Sequence, residues 1–162
     1  MNTVGRFMKV SFEQYKSARK HVDEETARKE YDAIQIPCRG TKASAGYDFR
    51  IPFDVELGEE PVLIPTGIRT LMQDDYFLMI VPRSGLGFKY GTQLLNTIGI
   101  IDADYSRADN EGHIMCKLVS KVPCSLKAGD RFVQGIFIPY GISQNGNSTA
   151  VRTGGMGSTG TK

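Results

Sequence analysis

Almost no net charge survives in this chain: 20 Lys and Arg stand against 18 Asp and Glu, leaving +2. That balance excludes a surface built globally to bind polyanions such as nucleic acid, while leaving local basic patches open. Cysteine is scarce as well. Cys38, Cys116 and Cys124 are odd in number and lack metal-ligand spacing, so free thiols in a cytoplasm are expected rather than a disulfide framework or a zinc site. Long apolar runs are missing: none approaches the ~18 residues of a membrane span, and no secretory leader is recognisable. Internal repeats and low-complexity linkers are missing too. What remains is expected to be a soluble intracellular chain of 162 residues, one domain burying about two-thirds of its unfolded surface.

Glycine, by contrast, supplies 18 residues, above the usual ~7%, and clusters in turn-like contexts. Between those turns run short apolar or alternating segments at residues 1–10, 34–39, 55–57, 62–64, 67–71, 76–81, 113–119 and 132–140. Strands repeating every ~8–12 residues predict a sandwich or barrel rather than βαβ units. One helix is expected over residues 11–31, with a break near 21–25. Ser11 and Gln14 fit an S-x-x-Q capping box, and Phe12, Tyr15, Arg19 and Val22 follow at helical spacing. Its remaining faces are charged, which makes it an accessory element on the outside of something larger. From Gly141 onward the chain turns to Gly, Ser, Asn and Thr, with few apolar side chains, Val151 and Met156 among them. Such a tail is expected to be mobile alone, and its bare amides suit it to close over a phosphate chain. Gly155 to Gly160 followed by Thr161-Lys162 is not a P-loop, because there the lysine precedes the hydroxyl and a helix follows.

The chemistry concentrates in residues 81–105, VPRSGLGFKYGTQLLNTIGIIDADY. Arg83-Ser84-Gly85 joins a guanidinium fork to a hydroxyl and an unshielded backbone, a combination that suits phosphate oxygens; the same residues also read as a plain surface turn. Asn96 offers a polar amide. Asp102 and Asp104 fall on one side of the chain if it is extended, and one of them could polarise a water as a general base. An Asp-rich β-turn, or one functional and one structural carboxylate, fits the same letters. His113 at a strand start reads as structural or rim, and His21 as solvated.

Taken together, SAGYDF at 44–49, PRSGLG at 82–87, NTIGIIDADY at 96–105, AGDRFVQGIF at 128–137 and RTGGMGSTG at 152–160 resemble the five motifs of the trimeric dUTP pyrophosphatase (dUTPase) family, in order. The resemblance implies an all-β jelly roll or distorted barrel, a homotrimer with shared active sites, and a cytoplasmic setting in a bacterial cell or phage-infected host. It implies hydrolysis of dUTP to dUMP and pyrophosphate by water attack at the α-phosphorus, with Mg²⁺ on the triphosphate and no nucleic-acid or membrane partner. That activity would limit uracil in DNA and supply dUMP for thymidylate synthesis. Asp102 matches the acid that activates the water. Tyr105 matches the ring against deoxyribose, and Asn96 with Gly99 matches the groups reading the uracil edge. Arg83, Ser84, Gly85 and Gln134 match phosphate contacts, and Asp48 a carboxylate near the metal's water shell. Arg152, Gly157, Ser158 and Thr159 match the tail closing over the outer phosphates. The family's tail usually carries Phe before GSTG, where it stacks on uracil. Here Met156 stands there, which can cover a ring without an aromatic stack and leaves His113 or Tyr90 as candidate lids. Competing readings are a dCTP deaminase of related fold and a nucleotide-sensing module of the same fold. The deaminase needs an acid in the strand after the hairpin, where Ile114-Met-Cys-Lys-Leu-Val has none.

Overall fold

Alternation of side chains along strands β3 (Tyr47–Arg50), β7 (Tyr76–Pro82) and β12 (Arg131–Pro139) builds the largest sheet of the protein. The structure is a computed structural model describing residues 2–146, 148–152 and 154. Together with β2 (Cys38–Arg39) and β9 (Gly99–Ile101), those strands form a five-stranded antiparallel sheet in the order β2-β3-β12-β7-β9. Its register aligns Asp48, Gln134 and Val81 in one row and Leu78 with Ile101 in another. On the inner face Phe49, Leu78, Ile80, Ile101 and Val133 are buried. On the other face Phe77, Met79, Val81, Gln134, Ile136 and Ile138 are only half-buried.

Three smaller sheets cover that inner face. They pair β10 (Met115–Val119) with β5 (Val62–Pro65) and β8 (Gln93–Leu94), β11 (Cys124–Leu126) with β4 (Val55–Leu57), and β1 (Gly5–Lys9) with β6 (Ile68–Met72). They deliver Leu57, Ile64, Ile68, Cys116, Leu118 and Leu126 into one continuous core, joined by Ile114 just before β10. Each such side chain stabilises the fold by roughly 1.5–3 kcal/mol on burial. The β-rich fold expected from strand spacing is observed, and it is the jelly roll that the family resemblance implied. All three cysteines are free thiols, and burial pushes that of Cys116 up to about 12.

The helix expected over residues 11–31 is two, α1 (Phe12–Ala18) and α2 (Glu24–Ala33). The break falls where expected, because Asp23 supplies a second N-cap: its carboxylate accepts the Thr26 N–H at 2.8 Å. The helices are locked by Arg19, whose Nε and Nη2 donate to Glu30 at 2.8 and 2.6 Å. Tyr15, fully buried, also donates to Glu30. Half of the expected capping box forms. Ser11 Oγ accepts the Gln14 N–H at 3.1 Å, but Gln14 does not return to the Ser11 amide, which donates to Glu111 instead. The segment after Pro82 also departs from expectation. Residues 84–90, whose two glycines read as a turn, form a third helix, α3 (Ser84–Tyr90), closed by Gly91 at φ +63°.

Candidate active site

The site is built in two halves. The first gathers at the N-terminal end of α3. Arg83 is the N-cap residue, so the amides of Ser84 and Gly85 have no acceptor within the helix. Both residues are exposed, and space beyond Gly85 is open. Arg83 Nη1 lies 2.9 Å from Asp48 Oδ2, yet the angle is too poor for a hydrogen bond, and this buried N–H has no acceptor among the described residues. We read the contact as a charge pair that leaves a donor unused. Arg131 Nη1 donates to the same Asp48 oxygen at 3.2 Å. Gln134 stands opposite Asp48 across β3 and β12. Gly46 admits it: a Cβ there would sit 2.2 Å from Gln134 Oε1. Two arginines, an amide side chain and free backbone donors around one carboxylate make an anion-binding corner.

The second half follows β9. The hairpin between β8 and β9 turns through Thr97 at φ +70°, with the Thr97 amide donating to Leu94 O and the Ile98 amide to Asn96 O. Asn96 is thereby exposed at the tip, and Gly99 lies flat on Ile80, 3.0 Å from where its own Cβ would be. Asp102 caps a 3-10 helix, Ala103–Arg107, rather than continuing an extended strand. Asp102 and Asp104 nevertheless converge, because Arg152 bridges them. Its Nη2 is 2.5 Å from Asp102 and its Nε 2.8 Å from Asp104. The guanidinium lies 5.8 Å from the centre of the Tyr105 ring. Tyr105 is only 4% exposed. Its hydroxyl donates to His113 O at 3.0 Å and accepts from Asn110 Nδ2 at 2.8 Å, and burial raises its pKa. A cavity of about 440 Å³ opens beside these groups, with Asp102, Asp104, Arg107 and Arg152 on its polar side and Phe77, Ile100 and Tyr140 on its apolar side.

A sequence model of the dUTPase family matches residues 32–160. The chain belongs to that family. Among relatives of this dUTPase-family protein, the deoxyuridine 5'-triphosphate nucleotidohydrolase of Lactococcus lactis is 38% identical over 133 residues, covering 78% of this chain and 89% of the relative. That of Shewanella halifaxensis is 38% identical over 138 residues, covering 78% and 88%. In three dimensions the chain is similar to the dUTPase of Streptococcus mutans, with TM-score 0.65, 30% identity and coverage of 86% and 99%. It also shares the fold of a mutant dUTPase from phage phi11 of S. aureus, with TM-score 0.66, 17% identity and coverage of 92% and 98%. That phage enzyme coordinates a structural Mg(II) ion.

Within one copy of the dUTPase chain the two halves do not meet. Arg83 follows the last residue of β7, whereas Asp102 lies beyond the pair joining Leu78 to Ile101, near the first. At ~3.3 Å per residue the two ends of that strand are roughly 20 Å apart. One candidate lid is corrected, and the other does not line the Asp102 cavity of its own copy. His113 is fully buried beneath α1, its Nε2 accepting the Gly67 N–H at 2.9 Å. Tyr90 is half-buried against the core, its carbonyl held by Val122 N–H and Ser120 Oγ. Neither lines the Asp102 cavity of its own copy. Met156, Gly157, Ser158 and Thr159 lie outside the described residues.

Four residues beyond those expected enter here. Arg131 joins Asp48, Phe77 and Tyr140 wall the cavity with rings 6.3 Å apart, and Glu111 reaches the N-terminal helix. The aspartate–arginine pairing across β3 and β12 could have been suspected from charge alternation; the others depend on tertiary packing. Among the described residues no three or more His, Cys, Asp or Glu side chains gather as a metal site.

Proposed function

We propose that this protein hydrolyses dUTP to dUMP and pyrophosphate, with each active site assembled between copies of a homotrimer. The observation that carries the reading is the pairing of Arg83 and Arg131 on one Asp48 oxygen beside the Ser84 and Gly85 amides, which have no acceptor within α3. Such a corner recognises phosphate oxygens without further help. A triphosphate is far shorter than the roughly 20 Å between Arg83 and Asp102 along β7. The acid of one copy therefore serves the phosphate corner of another. The half-buried apolar residues on the outer face of the five-stranded sheet, Phe77, Met79, Ile136 and Ile138, suit a self-associating surface.

In this assembly Asp102 takes a proton from a water aimed at the α-phosphorus, and pyrophosphate leaves toward Arg83 and Gln134. Tyr105 lies against deoxyribose and leaves no room for a 2′-hydroxyl, while Asn96 and Gly99 read uracil. Cytosine presents a donor where uracil O4 accepts, so the hairpin's polar groups would be left unpaired. Arg152 holds the carboxylates in this structure. A triphosphate competes for the same fork, which binds phosphate as readily as carboxylate, and its transfer frees Asp102 to act as a base. Gly157, Ser158 and Thr159 complete the closing tail, and Met156 covers the base.

Mg²⁺ fits as an ion carried mainly by the phosphates, where it neutralises charge. Such an ion keeps most of its waters and needs few protein carboxylates. Asp48, with one oxygen already shared by Arg83 and Arg131, is placed for a contact through water rather than direct ligation. β10 carries no acid, which disfavours the deaminase chemistry.

The test is pyrophosphate release from dUTP, UTP, dCTP and dTTP with Mg²⁺, by wild type and Asp102→Asn. The expected result is turnover of dUTP alone, falling ~10²-fold or more in the variant while dUTP still binds. Ammonia from dCTP would establish a deaminase, and dUTP binding without turnover a sensor.

A further inference from the structure

The α1–α2 hairpin lies almost wholly before residue 32, where the family match begins. It is nevertheless tied to the segment that carries the candidate acid and sugar-facing ring. Residues 108–113 fold back over the 3-10 helix and grip Tyr105. Its hydroxyl is bonded to His113 O and Asn110 Nδ2, and the Gly112 N–H donates to Asn110 Oδ1 at 3.1 Å. Gly112 is pressed so close that a Cβ would stand 2.8 Å from Tyr105 O and 2.7 Å from Ser106 Cα.

The outer side of this turn is held by α1. Ser11 N–H and Oγ–H donate to the two oxygens of Glu111 at 2.8 and 2.5 Å, across 100 residues of sequence. Gln14 meets His113 at 3.5 Å. Glu111 itself sits at φ +60°, a conformation that side chains other than Gly, Asn and Asp adopt reluctantly and that persists only where surrounding contacts impose it. A strained residue thus caps a helix that precedes the residues matched by the family model, and it does so from the turn that clasps Tyr105.

We propose that Glu111 is a positioning residue for sugar selection: by capping α1 it clamps residues 108–113 onto Tyr105 and so fixes the ring against which deoxyribose is read. The inference rests on the dUTP reading above and assigns the appended hairpin a role in that same site. With the clamp released, the turn and the ring gain freedom, the sugar slot widens, and a 2′-hydroxyl becomes tolerable. A merely structural tie would lower stability and leave selectivity alone.

The experiment compares kcat/KM for dUTP and UTP, with melting temperatures, in full-length wild type, Glu111→Ala, Glu111→Gln and Ser11→Ala. Glutamine keeps the geometry, its carbonyl accepting the Ser11 N–H and its amide donating to Ser11 Oγ. The dUTP-over-UTP ratio is expected to fall ~10-fold in Glu111→Ala and to stay near wild type in Glu111→Gln, with Ser11→Ala between them. Ser11→Ala removes the Oγ bond to Glu111 and the α1 cap bond from the Gln14 N–H, leaves the Ser11 N–H on Glu111, and keeps the comparison available should the Glu111→Ala chain fail to fold. An unchanged ratio in Glu111→Ala or, if that fails to fold, in Ser11→Ala overturns the clamp, whatever happens to the melting temperature. So does an equal fall in Glu111→Gln and Glu111→Ala. A wild type inactive on dUTP would instead remove the functional reading, and the clamp with it.

Discussion

Acidification should weaken this protein through one imidazole. His113 is fully buried, its Nε2 accepts the Gly67 N–H, and burial depresses its pKa from the ordinary 6.5 to about 4, with the nearby Glu111 carboxylate pulling partly the other way. With Nε2 accepting, the proton sits on Nδ1, so Gln14 must present its carbonyl there, which an end-over-end turn of the amide achieves. Protonation would set Nε2–H against the Gly67 N–H in a site closed to solvent. The unfolded chain takes the proton first as pH falls, so the stability tied to neutral His113 is complete above about pH 6.5 and is lost progressively toward about pH 4. Integrating between those two values gives a loss of about 2 kcal/mol on going from pH ~7.5 to pH ~5. Urea unfolding at a fixed protein concentration measures it, against His113→Gln, whose carbonyl can replace Nε2 as acceptor but does not titrate. Carboxylates common to both proteins cancel. Wild type should lose about 2 kcal/mol more than the variant over that interval. Equal losses would mean that His113 is not held neutral by its burial, and the packing described for α1 over Gly67 would be wrong.

Two glycine substitutions test the halves of the site separately. In Gly46→Ala the new methyl would meet Gln134 Oε1 at 2.2 Å; a flexible amide can move aside. We therefore expect little change in unfolding midpoint and a KM for dUTP raised roughly 10-fold in steady-state assays, and an unaltered KM would remove Gln134 from the phosphate corner. In Gly112→Ala the methyl meets backbone atoms at 2.7 and 2.8 Å from a residue at φ +73°, with nothing free to yield. Destabilisation of about 2–4 kcal/mol is expected in denaturant titration; a loss under ~0.5 kcal/mol would show that residues 108–113 do not hold this conformation.

Much of the framework was legible because it depends on local chemistry. β7 alternates cleanly, burying Leu78 and Ile80, and β12 does so from Val133 to Ile136, past the irregularity that also buries Phe132, and a period of two is what such a sheet demands. Arg83, Ser84 and Asp102 stand out because phosphate and water chemistry need those groups. The failures have a common form. α3 was hidden because Gly85 and Gly87 each disfavour helix by ~1 kcal/mol relative to Ala, and the tertiary setting outweighs that. The capping box was half right because a local donor, the Ser11 amide, found a partner across 100 residues. His113 was misplaced as a lid because one-dimensional spacing does not say which ring the core will claim. Two separations matter most for function, and they differ in kind. Asp48 and Gln134 are far apart in sequence yet adjacent in the sheet, so one fold unites them. Arg83 and Asp102 are close in sequence yet stand at opposite ends of β7. If Arg83 and Asp102 serve the one reaction proposed above, a fold that drives them apart makes a second copy a requirement of that site rather than an addition to it.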